Sequence, residues 1–287
     1  MIIKDLPPET LDLALVLGIF AKPMAVQHDL TSTLKKSLQK LLLKKYREQE
    51  GKFIVEGPHL VEEVLTSSWV VDVVIATPLF RSNPHAPEIL KRAANQGVKI
   101  AETSDAFFKK ITDTVTSQGI AAVVRASKSN VRDIWREDAR DAIVAALDGI
   151  NDPGNVGTII RTCDWFGVDA VLLGKGTADL FNPKTLRATM GSMFHLPIYF
   201  DVDLMAEISS AKKTGFRVVA AVSSGGKGLG KKLVSRKNLI ILGNEAHGIH
   251  QSLQQMADDE VTIPRFGSAE SLNVAISAGI ILSWLRM

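Results

Sequence analysis

Three short segments in the C-terminal half of this chain set polar side chains directly behind apolar runs, and they hold most of the groups able to do chemistry. In the first, DGINDPGNVGTIIRT (Asp148–Thr162), an apolar run ends at Asp148 and Asn, Asp, Pro and Gly make a turn. A helix is predicted from about Val156, with Asn155 as its N-cap. Arg161 follows within that helix, and a guanidinium near such a turn either binds phosphate bidentately or forms a surface ion pair. The second segment is LIILGNEAHGI (Leu239–Ile249). Gly243 ends an apolar run, where a missing side chain admits close approach of a ligand to the backbone. Glu245 then accepts hydrogen bonds from a ligand or holds a loop. His247 and His250 read as loop residues, since no third ligand at suitable spacing accompanies them.

The third segment, VTIPRFGSAESLNVAISAGIILSWL (Val261–Leu285), begins with a short run that Pro264 ends. Gly267 and Ser268 read as a loop, and Ser271 is expected to open the last helix as its N-cap. Asn273 falls in the first turn of that otherwise apolar helix, where an amide needs a partner. Two other motifs carry no chemistry. Gly225–Gly230 (GGKGLG) lacks the GxGxxG spacing, and Lys227 precedes Gly rather than Ser or Thr, so it is no P-loop. With Lys231 and Lys232 behind it, it reads as a flexible basic loop. Cys163 has no base beside it and reads as a buried apolar residue.

These segments need a scaffold that brings strand ends together. Apolar runs at Ala142–Leu147, Ala170–Leu173, Arg217–Val222, Asn238–Leu242 and Val261–Ile263 are predicted as buried strands of a mostly parallel sheet. Helices are predicted between them at Val156–Phe166, Asn182–Met190 and Leu204–Thr214, with a last one at Ser271–Arg286. Open α/β sheets bind ligands beyond their strand ends, where all three segments fall. A smaller α/β unit precedes this one, with strands expected at Phe53–Glu56, Val70–Ala76, Lys99–Ala101 and Ala121–Val124 and helices at Pro58–Ser67 and Pro87–Gln96. Ahead of these, Thr33–Gln49 has a helical pattern of Leu34, Leu38, Leu41, Leu42 and Tyr46 among lysines, either a solvated face or an RNA-contacting one. The expected organisation is a leader over residues 1–30, a first domain over 31–126, a polar linker over 127–140 and a second domain over 141–287.

Composition agrees with two soluble domains: 287 residues, 46% hydrophobic and 23% charged. The net charge of +3 is compatible with a polyanionic partner without identifying one. A single cysteine excludes an intramolecular disulfide and any multi-cysteine metal site, and favours a reducing, cytoplasmic setting. The stretch Leu11–Val26 is interrupted by Asp12, Lys22 and Pro23 and is too short to span a bilayer. The acidic residues after Lys4 do not fit the basic start of a signal peptide.

Together NVGTIIRT (Asn155–Thr162), LGNEAHGI (Leu242–Ile249) and IPRFGSAESLNVAISAG (Ile263–Gly279) resemble the motifs of the SpoU (TrmH-type) RNA 2′-O-ribose methyltransferases of the SPOUT superfamily. The segment LRATMGSMFHLPI (Leu186–Ile198) looks like the family's connection between them. KKYREQEGKFIVEGPHLVEEVL (Lys44–Leu65) is similar to the L30e-like substrate-binding domain that precedes the catalytic domain in ribosomal RNA members. The resemblance implies an α/β catalytic domain with a trefoil knot, a homodimer, and S-adenosylmethionine as methyl donor, and the methyl transfer it implies requires no metal. It implies donor contacts at Gly243, Glu245, Ile263 and Leu272, and a catalytic group of Asn155, Arg161, Ser271 and Asn273. The expected substrate is a ribose 2′-hydroxyl of RNA, 23S ribosomal RNA ahead of tRNA. The resemblance leaves Arg161 two roles, the base that takes the hydroxyl proton or a clamp on the adjacent phosphate, and the second fits a guanidinium that is effectively never deprotonated. Two other readings remain: an RNA-binding module without catalysis, and a nucleotide-dependent dehydrogenase, which lacks its glycine fingerprint here.

Overall fold

The structure, a computed structural model, describes residues 28–126, 131, 134–135, 141–230 and 235–286. Most of the expected leader and linker, with Lys231 and Lys232, lies outside the described residues. The first unit runs β1 (His28–Asp29), α1 (Ser32–Lys40), α2 (Lys44–Glu50), β2 (Lys52–Glu56), α3 (Pro58–Thr66), β3 (Val71–Ala76), α4 (Pro78–Arg81), α5 (Ala86–Asn95), β4 (Lys99–Glu102), α6 (Asp105–Phe108) and β5 (Ile120–Arg125). Its five strands form a mixed sheet of order β1-β4-β3-β5-β2, in which β5 is antiparallel to both neighbours. The four expected strands and two helices appear within a residue or two of their predicted ends.

The single helix expected at Thr33–Gln49 is two. Leu38 and Leu41 turn into the core, and Leu43 is extended at φ −96° and ψ 130°. A straight helix could not bury Leu41 while exposing Leu43 and also burying Arg47. At the break, the Arg47 guanidinium donates to the carbonyls of Leu41 and Leu42 at 2.9 and 2.8 Å. It thereby satisfies groups that the interrupted helix leaves without partners.

The second unit runs β6 (Ala142–Asp148), α7 (Pro153–Trp165), β7 (Ala170–Gly174), α8 (Pro183–Thr189), β8 (Ile198–Val202), α9 (Leu204–Lys213), β9 (Arg217–Ala221), β10 (Lys227–Gly228), β11 (Lys237–Gly243), α10 (Gln251–Gln254), β12 (Asp259–Thr262) and α11 (Val274–Leu285). All seven strands pair in parallel, in the order β10-β12-β9-β11-β6-β7-β8. The expected parallel α/β sheet is therefore present, with two strands the sequence pattern missed. β8 lies at an edge and exposes alternate residues, so IYFDV lacks the continuous apolar run of a central strand. β10 is a two-residue edge strand inside the expected glycine-rich loop, where Lys227 binds the buried Asp259 at 2.8 Å.

Strand alternation sorts the apolar residues to opposite faces. Ile143, Ala145 and Leu147 of β6 join one cluster, and Ala142, Val144 and Ala146 join another. The first of these clusters continues through Phe53 and Val55 of β2 and Ala122 and Val124 of β5, so the two units share a core. Among the described residues no helix is long and apolar enough to cross a membrane.

Candidate active site

β6 ends in Asp148, whose buried carboxylate accepts the His250 backbone N–H at 2.7 Å and faces His250 Nδ1 at 2.9 Å. Gly149 then turns the chain at φ +65°, a conformation that suits a residue without Cβ. α7 starts at Pro153, three residues ahead of the expected Val156, and its N-cap is Asp152 rather than Asn155. Asp152 Oδ1 accepts the Asn155 N–H at 3.0 Å, while Oδ2 accepts Lys184 Nζ at 2.7 Å. The hydrogen bond from Lys184 holds the Asp152 carboxyl below the usual carboxylate range, helped by the Asn155 N–H. Asp followed by Pro is an ordinary helix-start signature, and it identifies this cap from sequence once both residues are weighed together.

Freed from capping, the Asn155 side chain faces the other segments. Its Nδ2 donates to Glu245 Oε1 at 2.8 Å, and its Oδ1 accepts from Asn273 Nδ2 at 3.0 Å. The chain of bonds runs Asn273 to Asn155 to Glu245 and joins all three predicted segments. Asn273 is itself the N-cap of α11, its Oδ1 accepting from Ala275 N at 2.8 Å. This corrects the expectation that Ser271 opens that helix. Ser271 and Leu272 instead belong to an exposed, irregular stretch from Pro264, with Ile263 half-buried at its start. The amide that needed a partner in an apolar helix has three, because it sits at the helix end and not within it.

Gly243 has a structural task of its own. A Cβ there would run into the backbone of Gly248 and Ile249, so the missing side chain admits the chain itself. The returning loop is tied by reciprocal Asn244–Gly248 backbone bonds of 2.9 Å. Asn244 Nδ2 also donates to Gly149 O at 2.6 Å, fixing this loop to the end of β6. An open cleft of about 540 Å³ results, lined by Asn151, Asp152, Asn155, Asn244, Glu245, Ala246 and Asn273. Of these, Asn151, Asp152, Asn244 and Ala246 were not singled out from sequence.

Arg161 is not in this cleft. It is exposed in the third turn of α7, and no side-chain hydrogen bond or ion pair engages it among the described residues. Six residues from Asn155, it lies about 120° round the helix from it. Trp165, four residues further on, is 84% exposed on the same side. Cys163 is buried, which pushes its thiol pKa far up, as fits an inert core residue. No group of three or more metal-binding side chains occurs among the described residues.

The SpoU rRNA Methylase family profile matches residues 142–283, and the MRM3-like substrate binding domain profile matches residues 35–122. The 23S rRNA (guanosine(2553)-2′-O)-methyltransferase RlmP of Bacillus subtilis is 36% identical over 251 residues, 88% of this chain and 95% of that protein. The 23S rRNA (guanosine-2′-O-)-methyltransferase RlmB of Neisseria meningitidis is 28% identical over 208 residues, 72% of this chain and 83% of that one. An AdoMet-bound rRNA methyltransferase structure from Sinorhizobium meliloti superposes with a TM-score of 0.77 at 30% identity, covering 91% of this chain and 96% of that chain. Likeness to RlmP extends through both units, and the three motifs converge on one cleft: the chain belongs to the SpoU rRNA methylase family.

Proposed function

We propose that this protein transfers a methyl group from S-adenosylmethionine to a ribose 2′-hydroxyl of RNA, most plainly of 23S ribosomal RNA. The observation that carries the reading is the Asn273–Asn155–Glu245 hydrogen-bond chain, which unites all three motifs at the ends of β6 and β11. The names of RlmP and RlmB support the choice of RNA, as does the substrate-binding profile on the first unit. The residues present fit the donor. Glu245 lines the open cleft of about 540 Å³ and offers it a carboxylate, and Gly243 and Leu272 are the chain neighbours of its lining residues Asn244 and Asn273. Gly243, Glu245, Ile263 and Leu272 would hold S-adenosylmethionine, which supplies an electrophilic sulfonium methyl group when bound.

The chain's own groups then have distinct tasks. Asn155 and Asn273 fix each other's amides, so each presents a single orientation to the ribose, as alignment of a nucleophile requires. Ser271, exposed just before the α11 cap, contacts the sugar. Arg161, which stands outside this cleft, clamps an RNA phosphate and remains protonated throughout. The proton leaves to water.

A homodimer belongs to the same proposal. Trp165 on α7 and Ile276 and Ile280 on α11 are 84, 56 and 37% exposed, and the two helices carrying them pack together. A second copy covering this face would bury its apolar area and desolvate Arg161 beside it. The lysine-rich α1 and α2 would grip RNA phosphates; Lys40 and Lys45 flank the Tyr46 ring at 5.3 and 5.9 Å. We also place the protein in the cytoplasm, a reading supported by the proposed RNA substrate.

The test is to map 2′-O-methylation in RNA from cells with and without the protein, alongside calorimetry with S-adenosylmethionine. A missing ribose methyl in the deletion supports the reading. Absence of donor binding would instead favour an RNA-binding module without catalysis.

A further inference from the structure

Arg47 is a charged side chain with only 6% of its surface exposed, and its ion-pair partner lies 132 residues away in the other unit. Its terminal nitrogen binds Asp179 at 2.5 Å, while the same guanidinium holds the Leu41 and Leu42 carbonyls between α1 and α2. Asp179 leads into α8: its carboxylate accepts the Phe181 N–H at 3.0 Å and its carbonyl accepts the Thr185 hydroxyl at 3.0 Å. α8 also reaches the cleft, through Lys184 on the Asp152 carboxylate that caps α7. Against α7 it is packed so closely that a Cβ on Gly157 would lie 2.5 Å from both Ala188 Cβ and Thr185 O. One short helix therefore joins the lysine-bearing helix pair to the helix that carries Asn155.

The seam around this path is broad. Phe53 stacks on Phe181 at 4.5 Å, and Trp69 meets Phe194 edge-on at 5.7 Å. Beyond α8, Met190 holds a left-handed turn at φ +49° and its carbonyl faces His59 Nε2 at 3.0 Å. Glu63 lies against Gly191 and binds His195 at 2.7 Å. Domains within one chain ordinarily move relative to each other unless their interface is large and apolar. Here the core is continuous across the interface.

We propose that Arg47 and the α8 seam hold the first unit at a fixed span from the cleft, and that this span selects which ribose of the bound RNA is methylated. Arg47 is in these terms a specificity-determining positioning residue that touches neither donor nor ribose. The proposal rests on the RNA methyltransferase reading above. A buried arginine suits the task better than apolar packing alone, because an ion pair with directed hydrogen bonds tolerates one geometry.

The experiment compares the parent with Arg47→Met, which keeps side-chain length in a pocket formed by Leu41, Leu60 and Phe181. Ribose methylation is mapped nucleotide by nucleotide on ribosomal RNA, with RNA and donor affinities measured on the same preparations. Expected is loss of about tenfold at the parental nucleotide, or methyl groups on neighbouring riboses, with both affinities held within about twofold. A parental pattern at the parental rate overturns the proposal. In a second arm, Asp113→Cys and Arg187→Cys, replacing an ion pair across the seam, are joined by a short bismaleimide. Fully buried Cys163 does not compete for the reagent. Full activity after cross-linking is expected of units that do not move, and inactivation by the cross-link overturns the proposal even if Arg47→Met fails to fold. A parent that methylates no RNA overturns the functional reading itself.

Discussion

At the residue scale, the decisive side chains work as a set. Asn273 caps α11 through Oδ1 and orients Asn155 through Nδ2, and these tasks separate chemically. Asn273→Asp keeps a capping oxygen but sets a carboxylate against Asn155 Oδ1. We expect its Tm to stay near the parent's and its kcat to fall by about tenfold or more, whereas Asn273→Ala also loses about 1 kcal/mol of cap. Thermal melts paired with single-turnover assays distinguish the two. Arg161→Ala should abolish turnover and leave calorimetric donor binding intact, since Arg161 stands outside the cleft. Full activity in that variant would remove the phosphate clamp from the mechanism. The sequence showed that Asn273 needed a partner, but Asn155, 118 residues away, could be identified as that partner only from the fold.

At the element scale, α7 shows why helix boundaries matter to function. Expected to begin at Val156, it begins at Pro153, and the shift moves Asn155 from a capping role to a site-facing one. Its glycine at position 157 is explained by α8, and Gly157→Ala should cost about 1–3 kcal/mol by forcing the helices apart. Chemical denaturation with an unchanged m-value would register that cost. The Asp152–Lys184 pair adds a pH dependence. A carboxyl held below its ordinary value stabilises the fold fully above its unfolded pKa of about 3.9, and that contribution is lost as pH falls through the depressed folded value. Lys184→Met should therefore raise the Asp152 pKa in an NMR titration and move acid unfolding to slightly higher pH. The effect is small because the two side chains are 56 and 46% exposed and water screens them. Helix and strand cores were legible because their apolar periods are local. The break at Leu43 was not, because it depends on Arg47 finding Asp179 across the molecule.

At the scale of the whole molecule, the exposed face of α7 and α11 predicts an assembly. Trp165→Glu puts a charge at the centre of that face and should give a monomer by light scattering, with methyl transfer lost and the fold retained by circular dichroism. A stable dimer of this variant would place the interface elsewhere. What the sequence by itself determined was the inventory: two α/β units, a parallel sheet in the second, and three polar segments behind strands whose order matched a known family. Those features rest on chain-local rules, namely apolar period, turn chemistry and residue spacing. Only the tertiary structure decided which amide pairs with which carboxylate, that the glycine ending β11 makes room for the chain's own return, and that the two units share one core. Each of these is a contact between residues far apart in sequence, and such contacts are fixed by packing in three dimensions.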